Sequence, residues 1–147
     1  MADPRYDYAL SFAGADQPYA KRLFELLTES ELKVLYDENE QSRVLAENIQ
    51  DYLGPIYASE AAFVVPFLGS DYPKRIWNAL KSDQFKGHFG EKAVIPIWLK
   101  TAPPGIFDAN NYVGGIEFDP GGNVEAQLQQ IAKLLCMKIA ARRSTTV

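Results

Sequence analysis

Residues 6–27 read YDYALSFAGADQPYAKRLFELL, a short β-prone run followed directly by a helical pattern. The run 6–12 predicts a strand, and Ala13-Gly14 predicts the turn that ends it. Apolar residues then recur with the i, i+3, i+4, i+7 spacing of an amphipathic helix, at Ala20, Leu23, Phe24 and Leu27. Asp16 suits the N-cap of that helix, and Pro18 suits its first turn. A strand followed by a helix that covers it is the repeating unit of an α/β fold.

The same alternation continues along the chain. Further strands are predicted at 32–36 (LKVLY), 61–68 (AAFVVPFL), 93–99 (AVIPIWL) and 115–118 (GIEF), and further helices at 45–57, 74–85 and 124–141. Pro66 is an anomaly within a run otherwise typical of a strand buried on both faces. The sequence therefore predicts a three-layer, flavodoxin-like α/β sandwich around a parallel sheet of about five strands. No repeat, low-complexity segment or linker divides it, so residues 1–147 are expected to form one domain.

The composition excludes several classes of function. A net charge of −4 and a pI near 5.0 argue against binding to duplex nucleic acid or to an anionic membrane surface. One cysteine, Cys136, and one histidine, His88, cannot build a disulfide framework or the usual Cys/His zinc cluster, so no metal is expected. The sequence shows neither a signal-peptide pattern nor an apolar run long enough to span a membrane. A cytoplasmic domain is therefore expected.

Ligands of an open parallel sheet bind beyond the carboxyl ends of its strands, here the segments 11–16, 36–38 and 69–72. No GxxxxGK[ST] phosphate loop, GxGxxG dinucleotide loop or GxSxG nucleophile elbow occurs in the sequence. Gly69-Ser70 stands where a receiver domain would have an aspartate at the end of its third strand. These absences argue against four common α/β chemistries.

Four segments, in order, resemble the boxes of a TIR (Toll/interleukin receptor) domain. They are YDYALSFAGAD at 6–16, KVLYDE at 33–38, FVVPFLGSDY at 63–72 with Trp77 after it, and VIPIW at 94–98. The resemblance is greatest to bacterial TIR domains that deplete NAD⁺ or signal in antiviral defence. It implies the TIR fold, a role in immunity or cell-death signalling, and self-association with other TIR domains through a BB loop, here 37–45. A sensor domain or protein is a further partner that it implies.

The resemblance also implies where NAD⁺ binds and is cleaved. Binding positions carried over from the boxes are Ser11, Phe12, Ala13, Tyr36, Ser70 and Trp77. Each has a structural alternative, since aromatic residues at strand ends often fill the core and serine hydroxyls often bond the local backbone. Trp77 is equally suited to core packing and to a pocket wall.

The sequence departs from the family at the catalytic position. In enzymatic TIR domains a glutamate lies four residues after the tryptophan, and Lys81 occupies that position here. The reaction needs a carboxylate, because the ribose becomes oxocarbenium-like as nicotinamide leaves. At about 4 Å and an effective dielectric constant near 20, that carboxylate contributes roughly 4 kcal/mol. Asp83 is expected to face away on the same helix, whereas Glu38 and Glu40 are acids that could reach in from the loop.

Two functions therefore stay open. A receiver-like phosphoacceptor is a third class, although Gly69-Ser70 argues against it. The first is a self-associating TIR signalling module whose catalysis is impaired by Lys81. The second is an active NAD⁺ nucleosidase that uses Glu38 or Glu40 and releases nicotinamide with ADP-ribose or a cyclic form of it. NAD⁺ is the expected substrate or ligand in both, and no covalently bound cofactor is expected.

Overall fold

A computed structural model of the chain describes residues 6–37, 60–90, 93–101 and 115–145, together with residues 54 and 56. Its elements, in chain order, are β1 (Tyr6–Ser11), a 3-10 turn (Gly14–Asp16), α1 (Gln17–Glu29), β2 (Val34–Leu35), β3 (Ala61–Leu68), α2 (Lys74–Leu80), α3 (Asp83–Phe89), β4 (Ile97–Leu99), β5 (Ile116–Phe118) and α4 (Val124–Thr145). The described elements follow the predicted alternation of strand and helix, and the connections from β2 to β3 and from β4 to β5 lie largely outside the described residues.

The described strands form one parallel sheet in the order β2-β1-β3-β4-β5. β1 and β3 share the longest ladder, which runs from Tyr6 opposite Ala61 to Ser11 opposite Pro66. The chain moves outward from β1 to β2 and then crosses back to β3 on the other side of β1. The gap between the carboxyl ends of β1 and β3 is therefore the switch point at which sheets of this order bind ligands.

Two apolar cores lie on opposite faces of the sheet. Tyr8, Leu10 and Phe12 join the buried faces of α1 and α4, whereas Ala9 joins those of α2 and α3. Successive strand residues point to opposite faces, so β1 contributes to both cores. This arrangement confirms the three-layer, flavodoxin-like sandwich.

The outer helices on the first face are fastened to the sheet and to each other. The hydroxyl of Tyr8 donates a buried hydrogen bond of 2.8 Å to the backbone carbonyl of Leu135 on α4. The guanidinium of Arg22 on α1 makes two hydrogen bonds, 2.9 and 3.0 Å long, to the carboxylate of Glu125 on α4. The helix predicted at 124–141 is confirmed, and it buries an apolar face made by Leu128, Ile131, Leu135 and Ile139.

Pro66 lies within a central strand, and its position explains why the sheet accepts it. Val64, two residues earlier, bonds toward β4, since its N–H donates to Ala93 and its carbonyl accepts from Ile95. Alternate residues of a strand bond to the same neighbour, so the missing N–H of Pro66 also falls on the β4 side. The ladder is interrupted there, between the isolated bridge at Val64 and the pairs that begin at Phe67. Within the predicted strand 93–99, only Val94, in the isolated bridge to Val64, and β4 pair with β3.

The prediction of one helix over 74–85 is wrong, because α2 and α3 are separate. Ser82 takes extended backbone angles, φ −68° and ψ 154°, which no α-helix continues through. Its hydroxyl accepts from the N–H of Phe85 at 3.2 Å and donates to the carbonyl of Ala79 at 2.6 Å. Lys81 is thus the C-cap of α2, and Asp83 begins α3. The helical-face argument about Asp83 therefore does not hold.

Two predicted segments lie largely outside the described residues. Of the loop 37–45 only Asp37 is described, so Glu38 and Glu40 have no described position. Of the helix 45–57 only residues 54 and 56 are described, and both are helical. None of the helices in the described ranges combines the length and apolar content that crossing a membrane requires.

Replacing Ser82 tests the break between α2 and α3. Ser82→Ala is expected to lower the free energy of unfolding by about 1 kcal/mol, because it removes the N-cap acceptor. If 74–89 formed one helix, alanine would instead raise stability, since it is the best helix former. Urea unfolding distinguishes the two signs. Ser30→Ala is the matched control, because the Ser30 hydroxyl only donates to a carbonyl one turn back, and a change within about 0.5 kcal/mol is expected.

Candidate functional site

The carboxyl ends of β1 and β3 are joined by a buried pair of hydroxyl groups. The Ser11 hydroxyl oxygen lies 2.7 Å from the Tyr72 hydroxyl oxygen, and both residues are buried. Tyr72 is held in turn by its N–H, which donates to the carbonyl of Gly69 at 3.2 Å. Ser11 is thus placed at the switch point, where it fastens the turn after β3 to the end of β1.

Asp16 occupies the predicted N-cap position of α1, but its side chain makes no capping hydrogen bond. It ends the 3-10 turn, where its N–H donates to the carbonyl of Ala13 at 2.9 Å, and its carboxylate makes no cap hydrogen bond. The side chain turns instead toward the end of β3, and the residue is only 5% exposed. Its Oδ2 atom has no hydrogen-bond partner among the described residues. A carboxylate oxygen is therefore buried at the switch point without a described donor.

Gly69 makes room for that carboxylate. A Cβ atom added at Gly69 would collide with Oδ2 of Asp16 and would lie 3.2 Å from its carboxyl carbon. Only the residue without a side chain permits this approach at the end of β3. The sequence showed a glycine after an apolar strand, but it did not show which side chain that glycine faces.

The surroundings of Asp16 favour its protonated form. Burial, and secondarily the negative charge of Asp71, raise its pKa from 3.8 to about 6. Asp71 is exposed in the turn after β3, and it is the charged residue whose field acts on Asp16. At neutral pH the site therefore holds a carboxylate that lacks charge compensation from the described residues.

Two of the predicted binding aromatics lie on the other face of the sheet. The Phe12 and Tyr36 rings stack with centroids 5.4 Å apart, and Phe24 of α1 stacks on Tyr36 at 5.0 Å. Phe12 is fully buried and Tyr36 half-buried. The Tyr36 hydroxyl accepts a long hydrogen bond of 3.4 Å from the Gln17 side chain. Phe12 is thus a packing residue in this structure, and Tyr36 carries the aromatic edge that reaches solvent.

Trp77 and Lys81 lie together on the face covered by α2. The Trp77 ring is fully buried and meets Trp98 edge-on, with centroids 5.5 Å apart and planes at 81°. The ammonium of Lys81 lies 5.2 Å from the centroid of the Trp77 ring. That distance is within the range of a cation–π contact. Residues four apart lie on the same face of a helix, and this pair does so even though α2 ends before Lys81.

The structure thus divides the predicted residues into separate places. Trp77 lies on the side with α2, and Ser11 contacts Tyr72 of the same core. Phe12 and Tyr36 lie on the side with α1, and Ser70 is exposed in the turn after β3. Ala13 is buried at the exit of β1. Within the described ranges, no group of three acidic, histidine or cysteine side chains is arranged to hold a metal ion.

Comparison with known proteins supports the resemblance seen in the boxes. No known family profile matches the chain. A curated relative, the 3′ cyclic ADP-D-ribose synthase AaTIR of Aquimarina amphilecti, is 39% identical to the chain over 72 residues. The match covers 49% of this chain and only 22% of the relative.

The unpaired carboxylate has a signature in the pH dependence of stability. The folded state binds the Asp16 proton more tightly than the unfolded state does. The contribution of Asp16 to the free energy of unfolding is therefore largest below about pH 4, and it is lost as the pH rises to about 6. Asp16→Asn is therefore expected to raise the free energy of unfolding at pH 7 by about 2 kcal/mol. It should leave stability near pH 4 almost unchanged.

Urea unfolding of both proteins from about pH 4 to about pH 8 measures this difference. Asp71→Asn is the control. It removes the exposed negative charge that secondarily raises the pKa of Asp16, and it should change the free energy of unfolding little. A variant that is less stable than the natural protein at pH 7 would contradict the prediction.

The close approach of Gly69 to Asp16 predicts a second effect on stability. Gly69→Ala is expected to cost about 1–3 kcal/mol, because backbone or carboxylate must shift to admit the methyl group. In an Asp16→Ala background most of this cost should vanish, and a double-mutant cycle measures the coupling. Gly87→Ala is the control: no atom lies within 4 Å of an added Cβ there, and helix propensity predicts a gain of up to about 1 kcal/mol.

Proposed function

We propose that this chain, a TIR-type domain, binds NAD⁺ and that Lys81 makes it a weak NAD⁺ nucleosidase. The sheet order, the four boxes and the relative named as a cyclic ADP-ribose synthase support the NAD-cleaving TIR lineage. ADP-ribose is the part of NAD⁺ that stays when nicotinamide leaves, so the relative's product and the proposed substrate share one chemistry.

The position of the Lys81 ammonium carries the proposal. The resemblance places the reacting carboxylate one helical turn after the tryptophan, and the structure has an ammonium 5.2 Å from that tryptophan ring. The contact directs the charged end of Lys81 toward the ring rather than straight out into solvent. The position of the missing acid is thus occupied by the opposite charge.

The chemistry explains why this charge matters. In NAD⁺ cleavage the bond between the ring nitrogen and ribose C1′ breaks, and its electron pair stays on nicotinamide, which leaves neutral. Positive charge then develops on the ribose until water or another hydroxyl adds and loses a proton. A carboxylate near this charge contributes roughly 4 kcal/mol at an effective dielectric constant near 20, and an ammonium opposes it by a similar amount. Replacing the carboxylate by an ammonium therefore lowers the rate of cleavage by several orders of magnitude.

Signalling by self-association is part of the same proposal and rests on the resemblance. The loop 37–45, which would mediate it, lies outside the described residues apart from Asp37. Cys136, half-buried on α4, forms no disulfide. A free thiol suits the reducing cytoplasm in which NAD⁺ would be met.

Restoring the acid tests the proposed function. Lys81→Glu is expected to raise the rate of nicotinamide release from NAD⁺ at least about a hundredfold, because it replaces repulsion by stabilisation of the ribose charge. Lys81→Ala should give a much smaller gain, since it removes only the repulsion. The assay follows free nicotinamide at protein concentrations high enough to favour assembly.

The control for this experiment is Lys133→Glu, which makes the same charge change at an exposed position on α4. It should leave the rate unchanged. Robust turnover by the natural chain that is insensitive to Lys81→Ala would show that the reaction does not depend on this position.

A further inference from the structure

Asp16 is a buried ionisable group whose surroundings disfavour its charge. It is 5% exposed, its Oδ2 has no described hydrogen-bond partner, and its acidic neighbour Asp71 adds repulsion. Burying a carboxylate without a partner costs free energy, which a neutral residue of similar size would avoid. Ionisable groups in such surroundings, when they lie in a cleft, are characteristic of functional sites.

The location of Asp16 supports a binding role. It follows β1 directly, and Gly69, which it contacts, follows β3. These two strands flank the switch point of the sheet, where chains of this topology bind nucleotides. The carboxylate of Asp16 is therefore buried, at a cost in free energy, at the place in the fold where the topology predicts a ligand.

The chemistry of the group selects the part of a ligand that it can bind. An ionised carboxylate only accepts hydrogen bonds and attracts positive charge. A pyrophosphate would be repelled by Asp16 and Asp71 together. The nicotinamide end of NAD⁺ offers a positively charged ring and two ribose hydroxyl donors, which match an acceptor of this kind.

We propose, on the basis of the proposed function, that Asp16 binds the nicotinamide-riboside end of NAD⁺ at the switch point. The carboxylate pairs with the cationic ring and accepts from the ribose hydroxyls. Asp16 thereby selects the oxidised dinucleotide, whose ring is charged, over the reduced form, whose ring is neutral.

Contact with Oδ2 requires a local movement, because that oxygen is packed against Gly69. The turn after β3, which begins at Gly69, is also bound to the end of β1 by the hydroxyl pair of Ser11 and Tyr72. A ligand that reaches Oδ2 therefore displaces this turn, and the free energy of burying an unpaired charge is released when the ligand pairs with it. Binding and opening of the turn are coupled.

Calorimetric titration with three probes tests the proposal. NAD⁺, NADH and ADP-ribose share the ADP-ribose part, and they differ in carrying a cationic ring, a neutral ring or none. The natural chain is expected to bind NAD⁺ at least about tenfold more tightly than NADH. In Asp16→Asn this preference should disappear while affinity for ADP-ribose stays within about twofold. Asp71→Asn, an exposed neighbour, should keep the preference.

The pKa of Asp16 in the natural chain, measured with and without ligand, separates a binding role from a purely structural one, since only a binding role predicts a change. Carbon NMR of the Asp16 carboxyl group should show its pKa fall when NAD⁺ is bound, because a nearby cation favours the ionised form. NADH and ADP-ribose should lower it less. This measurement needs no variant, so it decides the matter even if Asp16→Asn does not fold.

The two proposals fail in different ways. Suppose that NAD⁺ and ADP-ribose bind, but Asp16→Asn keeps the affinities of the natural chain and the pKa of Asp16 does not fall when NAD⁺ is bound. Asp16 is then not the binding group, and the proposed function stands. If none of the three probes binds, the proposed function is wrong and the role of Asp16 falls with it.

Discussion

The pairing of β1 with β3 is the constraint on which the site depends. It places the ends of two strands that are far apart in sequence next to each other, with Ser11 opposite Pro66. From that register follow the hydroxyl pair of Ser11 with Tyr72 and the contact of Asp16 with Gly69. A shift of one residue would move every side chain of a strand to the other face of the sheet. The two apolar cores, one on each face, therefore fix the site as firmly as they fix the fold.

Most of the fold could be predicted from the sequence, because its signals are local. Apolar runs identified the strands, and the spacing of Leu23 and Leu27 identified the first helix. The break at Ser82 was missed although serine followed by aspartate is a helix-start signal, because the apolar spacing of 74–85 continues across it. The site was harder to predict. Which way Asp16 turns depends on Gly69, more than fifty residues away, and no local pattern contains that contact.

The two charges of the site act on different parts of the proposed substrate. In NAD⁺ the positive charge resides on the nicotinamide ring, and during cleavage it moves to the ribose. A carboxylate beside the ring stabilises the substrate more than the transition state, which improves binding and does not accelerate the reaction. A carboxylate beside the ribose does the reverse, and it is this position that Lys81 occupies in the resemblance.

This difference separates the binding of NAD⁺ from its cleavage. With Asp16 pairing with the ring and an ammonium beside Trp77, the domain would hold NAD⁺ in its ground state and cleave it slowly. The bound dinucleotide would also pair with the buried charge, so occupancy would favour the displaced position of the turn around Gly69 by linkage. If both proposals hold, such a domain would respond to the level of NAD⁺ rather than deplete it, since its occupied and empty states would differ while its ligand persists.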